Sequence, residues 1–438
     1  MSTRFGSLIR KTAFIGGVEA LTVVITAVSG LLIVNLLSKE DYAFYTVIVA
    51  CMTLASGITD MGLVHCAMPI IGQRADESRW VLGVSDRVFR RRWRLLAIGL
   101  LLIAPYWWHL VRQNDWLNRD YVFASLVTFG MVLLTIRENY LSSILVIQHR
   151  VSELTRPKIE AAATRLLAIC AALFLLPTPS VALVQLANMA PLVLLVWIYF
   201  RHLQADLRTS HPLTPEETQG VDQKITEIAR PLYLSSIFYQ FQGVITIFLA
   251  SLFGSTAVLA ELGAAGRLAM ILMVIDRVAY VLFFPAIARS PAGTQLNTAI
   301  LRGHLLYLGL LGIALISSVI YPHYWVMLLG SQYKNLEPLL WMVLLASLFM
   351  KGADFCFQTM VARGHTAYQA GTIPIVLAVQ VAYLALWGVA DLKAVLGFSV
   401  VSSFARFFYQ YALLLARMYR GTYGHMPQAS GPAPEHNS

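Results

Sequence analysis

Arg267 makes the strongest chemical demand in this sequence. It lies within an apolar run over 256–288, roughly 16 Å from the start of that run if the run is helical. No carboxylate stands three or four residues away to neutralise it. A guanidinium in such a place pairs with an acid on another helix, snorkels to an interface, or holds an anion through its two-pronged fork. Four carboxylates raise a similar question. Asp60, Glu138, Asp276 and Asp354 each fall deep in an apolar run, roughly 25–30 Å from its far end. They are level with Arg137, Arg277 and Lys351. Ion pairs among these groups would form a gate. Alternatively one carboxylate titrates and couples to a proton, or the set marks one membrane interface. Lys351 and Asp354, three residues apart, can also neutralise each other. A third group is uncharged: Ser236, Tyr239, Gln240 and Gly243 share one helical face, with Gln242 beside them. That stripe suits a hydroxyl-rich ligand or, equally, hydrogen bonds between helices. Glu19, Arg165 and Arg406 are further ionisable residues in apolar surroundings.

These charges stand out because the rest of the chain is so apolar. Of its 438 residues 58% are hydrophobic and 13% charged, with mean hydropathy +0.65. A soluble domain carries about 25% charged residues, and no aqueous fold of this size could hide so much apolar surface. The apolar residues come in twelve blocks, at 13–37, 42–71, 93–110, 121–147, 159–176, 180–202, 229–253, 256–288, 301–321, 336–362, 367–389 and 392–416. Each is long enough to cross a ~30 Å hydrocarbon core as a helix. The second, eighth and tenth are long enough to demand tilt or projection beyond the bilayer. The expected fold is therefore all-α and polytopic, with about twelve transmembrane helices.

The net charge of +10 does not point to nucleic acid, because Lys and Arg gather between apolar blocks where cytoplasmic loops would lie. The densest run is Arg87 to Arg94, RVFRRRWR, read as a topology determinant. The opposite loops hold only Lys39, Arg112, Arg119, Lys334 and Lys393. Both termini are therefore expected in the cytoplasm, and the N-terminal run, lacking a cleavage pattern, reads as an uncleaved first helix. Cys51, Cys66, Cys170 and Cys356 sit in apolar runs without CxxC spacing and read as small core residues. The clusters Tyr106-Trp107-Trp108 and Tyr321 to Trp325 read as interfacial belts.

The chain also repeats itself. A shift of 216 residues places Asp60 on Asp276, Glu138 on Asp354 and His149 on His365, and a shift of 217 aligns Pro105 with Pro322. Each half holds six helices, an even number, so the halves enter the membrane from the same side and form parallel repeats. The expected organisation is a bundle over 1–203, a polar cytoplasmic linker over 204–228, a second bundle over 229–420 and a disordered tail over 421–438. Two such bundles facing a central space form the architecture of a secondary transporter. No G-x-x-x-x-G-K-[ST] loop is present, and the short outer loops leave no room for a catalytic domain, so an enzyme is not expected.

Two stretches resemble a known family. LLIVNLLSKEDYAFYTVIVACMTLASGITDMGL, from Leu31, is similar to the first hairpin of the polysaccharide flippases in the multidrug, oligosaccharidyl-lipid and polysaccharide exporter superfamily. The family turn, Leu-Gly-Pro/Ser-x-x-Tyr-Gly-x-Tyr, is matched from Leu37 to Tyr45, and the closing Asp-x-Gly-Leu by Asp60 to Leu63. Ser38 and Ala43 stand where glycines are usual. LLGSQYKNLEPLLWMVLLASLFMKGADFCFQTMVARGHT, residues 328–366, resembles the family's tenth helix and its flanking turns. The resemblance implies a flippase in the bacterial inner membrane. It would move polyprenyl-pyrophosphate-linked oligosaccharide from the cytoplasmic to the periplasmic leaflet for lipopolysaccharide or exopolysaccharide synthesis. Its partners would be membrane lipids, the lipid-linked cargo and other polysaccharide-assembly proteins. No cofactor is expected beyond a coupling H+ or Na+. Arg267 and Arg406 would then take the pyrophosphate and Ser236, Tyr239, Gln240 and Gln242 the sugar. The alternative within the superfamily is an ion-coupled multidrug antiporter, for which an acidic, aromatic cavity is expected instead.

Overall fold

The computed structural model describes residues 2–63, 66–148, 150–175, 179–209, 212–230, 233–276, 283, 287, 293–362 and 368–419. The tail beyond 419, Arg277, His149 and His365 lie outside them, as does the side chain of Glu19. The described chain is helical. Twelve long helices follow one another: α1 (Ser2–Leu36), α2 (Lys39–Asp60), α3 (Ser78–Gln113), α4 (Arg119–Ile147), α5 (Val151–Cys170) and α6 (Val181–Thr209) in the first half, and α7 (Tyr233–Phe253), α8 (Thr256–Ile271), α9 (Thr294–Ile320), α10 (Leu340–Ala362), α11 (Thr372–Trp387) and α12 (Leu392–Tyr419) in the second. Among the described residues ten helices are long and apolar enough to cross a membrane. The apolar part of α1, Ala20–Leu36, and the more charged α5 complete the two six-helix bundles.

Local chemistry sets the helix ends. Ser38 starts α2: its backbone is extended (φ −61°, ψ 157°) and its hydroxyl accepts the Asp41 N–H at 3.1 Å, satisfying a donor that the first turn leaves free. Asn118 does the same for α4 through the Tyr121 N–H at 2.9 Å. At its other end α2 stops at Asp60, because Met61 and Gly62 both turn to positive φ (37° and 79°) and a left-handed residue ends a helix. The single long run expected over 42–71 is therefore two elements, α2 and a short helix Ala67–Ile71. The opposite correction applies to α3. It begins at Ser78 rather than near 93, so the Arg-rich run is helical and projects beyond the membrane instead of forming a loop.

That projection is held by the linker. Residues Pro215–Ala229 form a helix opened by a capping box between Thr214 and Glu217. Its acidic face lies on the basic face of α3: Glu217 accepts from Arg79 at 2.8 Å, Asp222 pairs with Arg87, and the Asp222 carbonyl accepts from Arg91 at 2.8 Å. Its apolar face, Val221, Ile225 and Ala229, joins the core at the cytoplasmic end of the first half.

Among the described residues the two halves share their buried core on the outer side. A single buried core includes residues of both halves, from Tyr42 and Phe44 on α2 to Phe248 on α7 and Leu268 on α8. Toward the cytoplasmic ends the core divides into one cluster in the first half and two in the second. Polar contacts across the halves follow the same division. On the outer side Asn35 donates to the Leu328 carbonyl at 2.7 Å, Gln332 donates to the Val34 carbonyl at 2.9 Å, and Lys39 faces Glu261 at 3.5 Å. Tyr106 and Ser251 share a hydrogen bond of 2.5 Å. In a membrane each such bond contributes roughly 0.6–2 kcal/mol, so together they match the few kcal/mol that separate conformations. Tyr106 and Trp107 thus belong to the core joining the halves, with Trp107 against Phe44 at 5.5 Å between centroids. Trp108, Tyr321 and Tyr324 are exposed, as belt residues are.

Candidate functional site

Between the halves lies a cavity of about 800 Å³, whose described lining runs from Asp60 and Arg92 near the cytoplasmic ends to Arg267 and Gln185 farther out. It is lined chiefly by the first half, with Gln240 of α7 and Arg267 of α8 contributed by the second. The lining is graded along the membrane normal. Its inner tier holds Asp60, Arg92, Asn139 and Lys158; Thr53 and Ser56 follow. The deep tier holds Arg165, Arg267, Tyr45, Asn188 and Gln185. Four cations thus face one carboxylate among the lining residues described.

Arg267 is held by neutral groups. Its Nε donates to the Tyr42 hydroxyl at 3.2 Å, and its guanidinium carbon lies 5.4 Å from the Tyr45 ring centroid. Gly30 on α1 makes room for it, since a Cβ there would stand 3.1 Å from the Arg267 Cδ. Tyr42 and Tyr45 are the tyrosines of the turn that carries the family resemblance. They are almost wholly buried and stacked at 5.8 Å. Arg165 is held in the same way, its Nε donating to Asn188 Oδ1 at 3.0 Å. Among the described residues both guanidinium groups have neutral partners, the Met270 sulfur beside Arg267 included, and a guanidinium so held keeps its formal charge available to an anion. At the inner tier Arg92 pairs with Asp60. Glu138 lies near Lys158 and Arg92.

The uncharged stripe expected on α7 is divided. Gln240 enters the cavity and lies against Gly57 of α2, where an added Cβ would meet its side chain at 2.5 Å. Tyr239, a step of about 100° around the helix, lies instead in a small pocket of the second half, under the Arg406 guanidinium at 5.1 Å. Gln242 is tied to Gln380 by two reciprocal amide hydrogen bonds of 3.0 and 2.7 Å. Ser236 is half-buried in the first turn of α7 and lines neither space. Four residues on one face do not share a cavity here, because the stripe sits at the seam where one helix borders two neighbours.

The carboxylates also find partners other than those the spacing suggests. Lys351 binds Asp276, which accepts in addition from Tyr307, while Asp354 pairs with Arg406 at 2.6 Å. Lys351 and Asp354 therefore do not neutralise each other as spacing allows, and Arg406 is engaged inside the second half rather than lining the cavity. Arg137 lies over the rings of Phe89 and Tyr140, at 5.5 and 5.2 Å, away from the cavity. The described pairs Asp60–Arg92, Asp276–Lys351 and Asp354–Arg406 each close within their own half. Sequence reasoning passed over Arg92, Lys158, Gln185 and Asn188. Gln185 and Asn188, three apart in an otherwise apolar run, were a signal that could have been read.

The sequence matches no protein-family model and no curated protein. Solved structures match along nearly the whole chain. One is the inward-facing conformation of a multidrug resistance MATE family transporter of the MOP superfamily, with TM-score 0.70 and 14% identity over 92% of this chain and 96% of that one. A MATE in complex with MaL6 gives TM-score 0.63 at 11% identity, covering 94% and 96% of the two chains. A MATE in complex with MaD5 gives 0.62 at 14%, covering 93% and 94%. At such identities the likeness is one of fold, and that fold is all-helical and polytopic, as expected from the sequence.

Proposed function

We propose that the protein is a secondary transporter that moves a polyprenyl-pyrophosphate-linked oligosaccharide from the cytoplasmic to the outer leaflet by alternating access. The observation that carries this reading is the deep tier, where Arg165 and Arg267 stand over polar walls with neutral partners. A pyrophosphate cannot enter hydrocarbon unaided, and two guanidinium forks offer it bidentate hydrogen bonds where water is scarce. Hydroxyls and carboxamides around them suit a sugar head, while the lipid tail remains in the bilayer. The cargo would serve cell-surface or exopolysaccharide synthesis, alongside other polysaccharide-assembly proteins, in a bacterial inner membrane. Asp60, at the mouth, is the carboxylate placed to couple the cycle to H+ or Na+.

A null strain should accumulate lipid-linked oligosaccharide on the cytoplasmic face. The wild-type gene should clear it and Arg267→Ala should not. The second reading is ion-coupled antiport of cationic drugs, favoured by the likeness to a multidrug resistance transporter. Four cations in the cavity wall disfavour a cationic cargo, by like-charge repulsion in a low dielectric. Loss of resistance to cationic dyes in the null, with no accumulation of lipid-linked sugar, would decide for that reading.

A further inference from the structure

The deep end of the cavity contains a polar group with nothing bound to it. Gln185, on the outer third of α6, is 1% exposed, and neither its carboxamide nitrogen nor its oxygen has a hydrogen-bond partner. It nevertheless lines the cavity. Among the described residues it is the buried side chain with both polar atoms unmatched. One turn along the same face, Asn188 is occupied by Arg165 and Tyr45. Gln242 and Gln380 are occupied by each other. Gln410 and Gln369, also buried, each keep one hydrogen bond, to Thr372 and Met360; at Gln185 neither polar atom has one.

A carboxamide presents a donor and an acceptor side by side. Its complement is a ligand with two adjacent groups, one able to accept and the other to donate. Two neighbouring hydroxyls on a sugar ring meet that need, since each hydroxyl can do either. A phosphate does not, because it lacks the donor. The position fits as well: Gln185 stands one helical turn beyond Asn188, which touches the cationic tier, so a ring beside a pyrophosphate held there would face it.

We infer that Gln185 is a specificity-determining residue that reads a vicinal diol on the sugar next to the pyrophosphate. The inference rests on the flippase reading and adds to it the recognition of one ring. A site built to bond a hydroxyl discriminates against an analogue that lacks it, because its own polar atoms are then left unmatched.

The test uses the full chain in detergent with two short-chain polyprenyl-pyrophosphate sugars, one carrying glucose and one a deoxyglucose lacking a hydroxyl of the diol. Wild type should bind the glucose lipid ~10-fold or more tightly than the deoxy lipid. Gln185→Leu should bind the two alike, near the wild-type level for the deoxy lipid. Because Gln185 has no partner in the empty protein, the same variant should melt at or above the wild-type temperature. Unchanged discrimination by Gln185→Leu, or a sharp fall in its melting temperature, would overturn the subsite while leaving Arg267-dependent binding intact. Failure of wild type to bind either lipid would overturn the flippase reading itself.

Discussion

The two halves follow one plan and use it in opposite ways. In the first half the walls of α2, α5 and α6 enclose a wide cationic space whose side chains face a ligand. Among the described residues of the second half, a polar pocket of about 30 Å³ is bordered by Gln242 and Arg406, whose side chains are taken up by Gln380 and Asp354. The repeat carries Asp60 onto Asp276, but the partners differ: Asp60 takes Arg92 from α3, and Asp276 takes Lys351 from α10. A repeated carboxylate therefore fixes a place in the bundle, and the neighbouring helix decides whether that place faces a ligand or closes on itself.

That contrast can be broken most severely at the second half's inner pair. Both partners are largely buried, so Lys351→Met strands the Asp276 carboxylate and should lower stability by about 3–5 kcal/mol. Adding Asp276→Asn should recover most of the loss in thermal unfolding. If the single variant is as stable as wild type, the pair is not structural. In the first half the expected loss is of binding instead. Arg165→Ala or Arg267→Ala should cost about 2–5 kcal/mol of cargo affinity with little change in melting. Arg406→Ala should do the reverse, and equal loss of cargo binding in all three would erase the distinction between halves.

Smaller effects test the seam between the halves. Gly263 on α8 lies against Thr46 on α2 so closely that a Cβ would collide with the Thr46 side chain. Gly263→Val should weaken the outer seal by about 1–3 kcal/mol, the usual scale of overpacking. Thiol labelling of single cysteines at outer positions near Asn35 should then rise. Gln380→Ala removes one reciprocal amide pair and should cost roughly 0.6–2 kcal/mol of stability, leaving cargo affinity unchanged.

The smallest effect concerns the linker. The Thr214 N–H and Arg79 hold the Glu217 carboxyl below the usual glutamate range. A depressed carboxylate contributes its stability above the unfolded pKa and loses it as pH falls through the folded one. Protection against hydrogen exchange in Pro215–Ala229, relative to the intrinsic rate at each pH, should therefore fall under acid conditions and stay high at neutral pH. A Glu217→Gln variant should be weakly protected at both.

Much of this was legible in order along the chain. Apolar block length gave the twelve crossings, because the bilayer sets a length that a helix must meet. The Lys and Arg distribution gave the orientation, and Arg267, buried in an apolar run without a local acid, identified itself as a residue needing a reason. Helix ends were legible where a cap was, as at Ser38, and illegible where Met61 adopts a left-handed conformation that its side chain does not favour. The Arg-rich run was read only as a topology signal, because Asp222, the partner of Arg87 and Arg91, lies more than a hundred residues away on the linker helix.

What the sequence determined by itself is the medium, the number of crossings, the duplication and the presence of costly charges within it. All four follow from composition and spacing, which act locally or on average. Which charges face a ligand was decided by the tertiary structure alone. Tyr239 and Gln240 are neighbours in sequence, yet one lies under Arg406 and the other in the cavity. Lys351 passes over Asp354, three residues along its own helix, for Asp276 on another. A helix has several faces, and only the helices packed around it determine what each face meets.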